Sequence, residues 1–187
     1  MTSKETSQET PQPSSPFPPP NRHITTHDPA TGKAIFSAAL PSTLPANAIP
    51  GMHFYEAYTT VKQPIDLSDE QDIQTVQSIP SNTITFPRPG GVILRYCDWP
   101  PLGSAPLHRH ETIDFGIVIH GEVEAFMDSG ESRLLRAGDV LVQRNTLHGW
   151  RNPSPTEWVR VVFVIQGVEP VVVAGREMGE DLGAFGS

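Results

Sequence analysis

Short apolar or alternating segments, separated by turn-forming residues, make up most of the chain after Ile24. Alternation of apolar and polar side chains is typical of half-buried β-strands, and many short strands of this kind are typical of sandwiches and barrels. The pattern predicts strands at 34–39, 52–59, 92–97, 113–120, 122–127, 132–135, 140–143, 158–166 and 170–173. We therefore predict an all-β fold.

One segment, residues 68–79, has the features of a helix. Ser68 and Gln71 have the spacing of a capping box, in which the two side chains bind backbone N–H groups of the first helical turn. The apolar residues that follow are sparse. We predict a single short helix here.

The first 21 residues are rich in Ser, Thr, Gln, Glu and Pro and contain almost nothing to bury. Ordering such a segment costs backbone entropy without burying apolar surface. We therefore predict a disordered tail at residues 1–21. The run from Pro16 to Pro20 could bind an aromatic groove as a polyproline helix, but such runs are more often spacers.

Composition and charge exclude several functional classes. The 187 residues suit one domain, and 13 Lys and Arg against 21 Asp and Glu give a formal net charge of −8. No basic surface for nucleic acid or an anionic membrane is expected from that balance.

Three features of the sequence bear on where the protein is located. Cys97 is the single cysteine, and the N-terminus lacks the apolar stretch of a signal peptide. No segment approaches the roughly 18 apolar residues that span a bilayer. We expect a cytoplasmic protein.

Two histidines and a carboxylate fall at positions of equal parity in one short segment: His108, His110 and Asp114. Residues of equal parity share one face of an extended strand, so these side chains can point into one cavity. His148, which follows the predicted strand 140–143 after a turn, is the candidate for a fourth ligand. Such a set suits one divalent ion, Fe, Mn, Zn, Ni or Cu, and leaves coordination positions open in an octahedral site.

The same residues resemble the first motif of the cupin superfamily, G(X)5HXH(X)3,4E(X)6G. His108, His110 and Gly121 stand at the motif positions, and Asp114 stands where the family has Glu. Gly103 lies one residue too close to the first histidine. The resemblance implies that both histidines and Asp114 bind the metal ion.

A second stretch resembles the second cupin motif, G(X)5PXG(X)2H(X)3N. Gly138, His148 and Asn152 match it, although the first spacing is one residue shorter. Gln143 replaces the proline and Asn145 the inner glycine. Asn tolerates a left-handed backbone better than any residue except Gly, so a tight turn ahead of His148 can persist.

The resemblance implies a cupin jelly-roll β-barrel, in which two antiparallel sheets close around a cavity. Residues 22–100 would add N-terminal strands that pack on the barrel, residues 101–175 would form the core with both motifs, and residues 176–187 would form a C-terminal tail. A homodimer formed by pairing of edge strands is expected. The chain is similar to small cupins of bacterial and fungal natural-product pathways.

Asp114 and His148 are the candidate catalytic residues. Because Asp is one methylene shorter than Glu, Asp114 is either a ligand or a group that orients a histidine or acts as a base. Arg95, on a predicted strand, would bind a substrate carboxylate or enolate if it faces inward, and a surface position is equally consistent with the sequence. Phe115, Gln143 and Trp150 are further candidates for the substrate pocket.

Three functions are compatible with this sequence. The first is a metal-dependent tailoring enzyme, an oxidoreductase, acting on a polyketide-like or aromatic small molecule. The second uses the metal as a Lewis acid for dehydration, decarboxylation, isomerisation or cyclisation, as a lyase or isomerase does. The third is a non-catalytic barrel that binds a small ligand.

Overall fold

The computed structural model describes residues 13–80 and 84–183. Antiparallel strands dominate these residues, as the alternating pattern predicts. The described residues contain one short α-helix, α1 (Gln71–Gln77), and the strands β1 (Ile24–His27), β2 (Ala34–Ser37), β3 (Asn47–Ile49), β4 (Met52–Thr60), β5 (Val92–Trp99), β6 (Ser104–His108), β7 (Thr112–His120), β8 (Glu122–Met127), β9 (Ser132–Arg136), β10 (Val140–Arg144), β11 (His148–Arg151), β12 (Val159–Gly167), β13 (Val172–Val173) and β14 (Arg176–Glu177).

Two sheets form the jelly-roll barrel. The larger has six strands in the order β10-β7-β12-β5-β4-β3, and the smaller has four in the order β6-β11-β8-β9. Two further pairs, β1-β2 and β13-β14, lie outside them. The all-β jelly-roll fold expected from the sequence is confirmed.

Alternation along each strand places the core between the two sheets. In β12 every second residue from Val159 to Ile165 is buried, and the same holds for β5 from Ile93 to Trp99. Full burial of one such aliphatic or aromatic side chain stabilises the fold by about 1.5–3 kcal/mol. The buried apolar core consists of Met52, Phe54, Ile93, Cys97, Trp99, Ala105, Val118, Val123, Ala125, Leu135, Trp150, Val159, Val161, Phe163 and Ile165.

The chain changes sheet between His108 and Thr112. His108 ends β6, which pairs with β11 in the smaller sheet, whereas Thr112 begins β7, which pairs with β10 and β12 in the larger sheet. The strands β6 and β11 were not predicted from the sequence. Both are short, and β6 contains Pro106 while β11 contains Gly149, two residues that are depleted in strands.

Residues 13–20, which were predicted to belong to a disordered tail, lie against the outer face of the larger sheet. The Ser15 hydroxyl donates to Asp98 at 2.6 Å, and Arg160 donates to the Pro18 carbonyl at 3.0 Å. The centroid of the Phe17 ring lies 4.9 Å from the central carbon of the Arg160 guanidinium. The prediction is therefore wrong for this part, because these residues bind partners that are distant in sequence. Residues 1–12 lie outside the described part of the chain.

The predicted helix is present but begins differently. A single 3-10 turn, Ser68–Glu70, precedes α1, and Asp69 and Glu70 have left-handed backbone angles of φ 51° and 54°. No side chain caps either element, so the predicted Ser68–Gln71 capping box is wrong. The Asp66 carboxylate accepts the Ser68 N–H at 3.0 Å instead. Within residues 13–80 and 84–183, no helix is long and apolar enough to cross a membrane.

Candidate metal centre

A cavity lies between the two sheets. One part of its wall is apolar and aromatic, with Trp99, Trp150 and Phe163 packed against each other at ring distances of 5.3–6.2 Å. The other part is polar and buried. Its polar lining residues are Arg95, His108, His110, Asp114, Gln143 and His148.

The three predicted histidines meet in this cavity. His148 is the first residue of β11 and is the direct cross-strand partner of His108, which ends β6. The ring centroids of His108 and His148 are 4.3 Å apart, those of His108 and His110 are 4.8 Å apart, and those of His110 and His148 are 6.3 Å apart. Residues some forty positions apart in sequence thus form one cluster of imidazoles.

Backbone carbonyls orient two of these rings. Nδ1 of His108 lies 2.6 Å from the Pro106 oxygen, and Nδ1 of His148 lies 2.8 Å from the Thr146 oxygen. A carbonyl can only accept, so we assign the proton to Nδ1 in both rings, which leaves Nε2 with a lone pair. Burial lowers the pKa of His108, and lowers that of His148 to about 3. Both rings are therefore uncharged at neutral pH, and the uncharged imidazole is the form that binds a metal.

His110 is the third buried imidazole, and neither of its ring nitrogens has a hydrogen-bond partner among the described residues. Burial, followed by the charges of neighbouring histidines, lowers the pKa of His110 to about 2. The Phe86 ring stacks on it with the centroids 3.3 Å apart. A buried imidazole of this kind lacks the contacts that a structural histidine normally has.

Asn145 connects the second predicted motif to His110. Its backbone has φ 53°, which confirms the left-handed turn expected at this position. Its amide nitrogen donates to the His110 carbonyl at 2.7 Å, and its backbone N–H donates to the Thr112 carbonyl at 2.9 Å. This positioning role was missed in the sequence, where only the tolerance of Asn for the turn was visible.

Asp114 lies on the inner face of β7 and is 5% exposed. Burial raises the pKa of its carboxyl group to about 6, with smaller opposing contributions from Thr112 and Arg95. Its Oδ1 atom has no hydrogen-bond partner among the described residues. Gln143 stands directly opposite it on β10.

His108, His110 and Asp114 do not lie on one extended strand, because the chain changes sheet between His108 and Asp114. The equal-parity argument is therefore wrong in its geometry, although all four side chains line the same cavity. Over the two described ranges, no three His, Cys, Asp or Glu side chains are spaced to hold a metal ion as they stand. Their fit to a metal rests on donor chemistry: two oriented Nε2 lone pairs, an unpartnered imidazole and an unpartnered carboxylate oxygen. The metal role of these residues stays a prediction.

The predicted pocket residues divide into two groups. Arg95, Gln143 and Trp150 are buried and line the cavity. Phe115 does not line it, because its parity on β7 is opposite to that of Asp114 and its ring points to the outer face of the larger sheet. The assignment of Phe115 to the pocket is therefore wrong.

Arg95 faces inward, but its guanidinium already has a carboxylate partner. Its Nε and Nη2 atoms donate to Glu56 Oε1 at 2.8 and 2.5 Å, and Nη2 also donates to the Thr85 carbonyl at 2.5 Å. Burial raises the pKa of Glu56, and the charge of Arg95 opposes that rise. Glu56 and the stacking residue Phe86 were not anticipated, because nothing near them in sequence resembles a site.

Cys97 is buried in the core and lines the inner end of the cavity. Burial raises the pKa of its thiol far above the usual range. A thiol in this state is not a nucleophile at neutral pH.

The sequence matches a known protein family and is similar to several fungal proteins. The cupin domain family matches residues 95–165, which include the cavity residues of β5, β7, β10 and β11. The phomopsin biosynthesis cluster protein C' of Diaporthe leptostromiformis is 45% identical over 161 residues, which cover 86% of this chain and 85% of that protein. A cupin-domain-containing oxidoreductase of Neurospora crassa is 33% identical over 165 residues, which cover 88% of this chain and 82% of that protein.

Among solved structures, the cupin domain of Schizosaccharomyces pombe Cnp3 is similar, with a TM-score of 0.50, 9% identity, and coverage of 80% of this chain and 88% of that chain. At that identity the likeness concerns the fold alone. The proteins that are similar in sequence are stronger evidence of relationship than this structure, because they match across most of both chains. The chain belongs to the cupin family, together with proteins of fungal natural-product biosynthesis clusters.

Proposed function

We propose that this protein is a metal-dependent cupin oxidoreductase that modifies a small polyketide-like or aromatic metabolite. His108, His110, His148 and Asp114 would hold one divalent ion, Fe, Mn, Zn, Ni or Cu. The observation that carries the proposal is the cluster of three buried, neutral imidazoles at the polar end of an apolar cavity. Relatives named as cupin-domain oxidoreductases support the redox assignment.

Each residue of the cluster has a distinct task in this proposal. The Pro106 and Thr146 carbonyls fix the ring orientation of His108 and His148, so that Nε2 of each is the nitrogen that would bind the ion. Asn145 holds the backbone of His110 in place. A bound divalent ion supplies Lewis acidity and, where it is redox-active, the activation of oxygen. Trp99, Trp150 and Phe163 exclude water from the reacting end of the substrate.

A second candidate function is non-redox, as in a lyase, isomerase or cyclase. It is favoured by Asp114, because burial brings the pKa of this carboxyl group to about 6. A group with a pKa near the operating pH is an efficient general acid or base. In this alternative Asp114 moves a substrate proton while the three histidines retain the ion.

Turnover of accumulated metabolites tests the proposal. The purified, metal-loaded protein is incubated with the metabolites that accumulate in a strain from which its gene is deleted, in air and under anaerobic conditions. We expect a new product in air, no product without oxygen, and no product from His148→Ala. His27→Ala is the matched control, because His27 is exposed and remote from the cavity.

Two results would redirect or end the proposal. Undiminished turnover without oxygen, retained with Zn as the metal, would favour the non-redox function. Tight binding of a metabolite without any conversion under all these conditions would identify a ligand-binding cupin rather than an enzyme.

A further inference from the structure

Gln143 is a buried amide without a structural explanation. It is 2% exposed, and neither Oε1 nor Nε2 has a hydrogen-bond partner among the described residues. A primary amide buried in this way destabilises the fold, and native proteins rarely retain one without a reason. Its neighbours Leu141 and Val142 show that β10 otherwise accepts apolar side chains.

The amide faces the cavity beside an unpartnered carboxylate oxygen, Oδ1 of Asp114. Gln143 on β10 and Asp114 on β7 are direct cross-strand partners, and both line the cavity. Side chains opposite each other on one face of an antiparallel pair have Cβ atoms about 4.5–5.5 Å apart. Oε1 and Nε2 of Gln143 thus offer one acceptor and one donor to a ligand, next to Oδ1 of Asp114.

No side chain beside this pair offers an anionic ligand a free bidentate partner. Arg95 is the only arginine or lysine among the described lining residues, and Glu56 occupies its Nε–Nη2 edge. Because Nη2 also donates to the Thr85 carbonyl, only Nη1 is left, and Nη1 alone cannot bind a carboxylate in the two-nitrogen mode. A neutral head group suits the Gln143 amide, whereas a substrate carboxylate finds no free bidentate arginine beside it.

The cavity wall beyond the polar pair is apolar. Ile165 stands beside Asp114 on β12, and the aromatic rings of Trp150 and Phe163 follow. Apolar and aromatic side chains therefore face the part of the ligand that lies beyond the Gln143 amide. The occupant is mainly apolar outside its polar head group.

We propose that Gln143 orients the substrate by binding a neutral carbonyl group that carries a neighbouring O–H or N–H donor. Nε2 donates to the carbonyl oxygen, and Oε1 accepts the neighbouring hydrogen. This inference deepens the proposed function by naming the substrate class, and it rests on that function only for the statement that the ligand is a substrate. Gln143 is a positioning residue in this arrangement.

Binding of two matched probes tests the inference without requiring turnover. Benzamide carries the carbonyl and its neighbouring N–H, and benzoate is its anionic isostere. Affinities are measured by calorimetry for the full chain, for Gln143→Leu and for Gln166→Leu, a control in which an exposed strand glutamine is replaced. We expect benzamide to bind the unaltered protein at least tenfold more tightly than benzoate, and Gln143→Leu to lose that preference.

Thermal unfolding of the same proteins without a probe supplies the second measurement. Because Leu leaves no unpaired amide in the wall, we expect Gln143→Leu to melt at the same temperature as the unaltered protein or above it. A clear decrease would show that Gln143 has a structural role and would overturn the inference. Equal affinity for benzoate, benzamide binding unaffected by Gln143→Leu, or no binding of either probe would overturn it as well.

The metal content of every sample is measured in parallel, so that the two proposals fail separately. If the metal is absent but the benzamide preference depends on Gln143, the metal-dependent function fails and the orienting role stands. If the metal is present but the preference is absent, only the orienting role fails.

Discussion

Asn145 contributes to the candidate site in two ways, through its backbone conformation and through its side chain. Its left-handed backbone allows the tight turn that returns the chain into the cavity at His148, and its amide holds the His110 carbonyl at 2.7 Å. The first property was predictable from residue type. The second was not, because its partner lies 35 positions away and only the pairing of β10 with β7 brings the two together.

Substitutions at Asn145 separate these two properties. Asn145→Gly keeps the left-handed turn and removes the hydrogen bond to His110, so we expect a loss of about 1 kcal/mol in the free energy of unfolding. Asn145→Ala removes the same bond and adds left-handed strain of about 1 kcal/mol. Urea denaturation measures both. Equal stability of Asn145→Gly and the unaltered protein would show that the bond to His110 does not stabilise the fold.

At the scale of elements, the sequence predicted those strands whose own residues alternate between apolar and polar side chains. In the larger sheet β4, β7 and β12 alternate over nine residues each, and their positions followed from that alternation, whereas the three-residue strand β3 was not predicted. The strands β6 and β11 have only five and four residues and are defined by pairing with each other and with β8. The N-terminal segment, residues 13–20, is fixed by contacts with Asp98 and Arg160, which its own composition cannot reveal.

The contact of Phe17 with Arg160 tests whether this N-terminal segment stabilises the sheet. Phe17 lies against the guanidinium at 4.9 Å and meets the His120 ring at 4.6 Å. Since Asp98 and Arg160 form a buried ion pair beneath it, we expect Phe17→Ala to lower the free energy of unfolding by about 1–2 kcal/mol. Phe36→Ala is the matched control, because that ring is 75% exposed, and its expected effect is within about 0.5 kcal/mol.

Thermal or urea unfolding of the two phenylalanine variants gives the comparison. If Phe17→Ala and Phe36→Ala have the same stability, the N-terminal segment contributes nothing to the fold. In that case the composition-based expectation of a tail would also describe residues 13–20.

At the scale of the whole molecule, the cavity depends on how the two sheets face each other. His108, His110 and Asp114 were proposed as ligands from their spacing and side-chain chemistry, and His148 from the turn that precedes it. The sequence could not show that His108 and Asp114 lie on different sheets. It could not reveal the Glu56 partner of Arg95 either, since that contact depends on the register of β4 against β5.

The predicted homodimer is a further property of the whole molecule. β10 forms one edge of the larger sheet, and its outward residues Val140 and Val142 are 54% and 48% exposed. Pairing of this edge with a second copy would cover both side chains. We expect a dimer by light scattering after size exclusion, and a monomer for Val142→Lys, because a charge on an edge strand opposes pairing. If Val142→Lys still forms a dimer of unchanged stability, the dimer interface lies on another surface.

The metal content of the purified protein tests the central claim most directly. Elemental analysis is performed on the unaltered protein, on His148→Ala and on His27→Ala, each after exposure to Fe, Mn, Zn, Ni or Cu and removal of excess ion. We predict about one ion per chain for the unaltered protein and for His27→Ala, and a loss of that ion in folded His148→Ala. An unaltered protein that retains none of the five metals, or a His148→Ala variant that retains the full amount, would contradict the account.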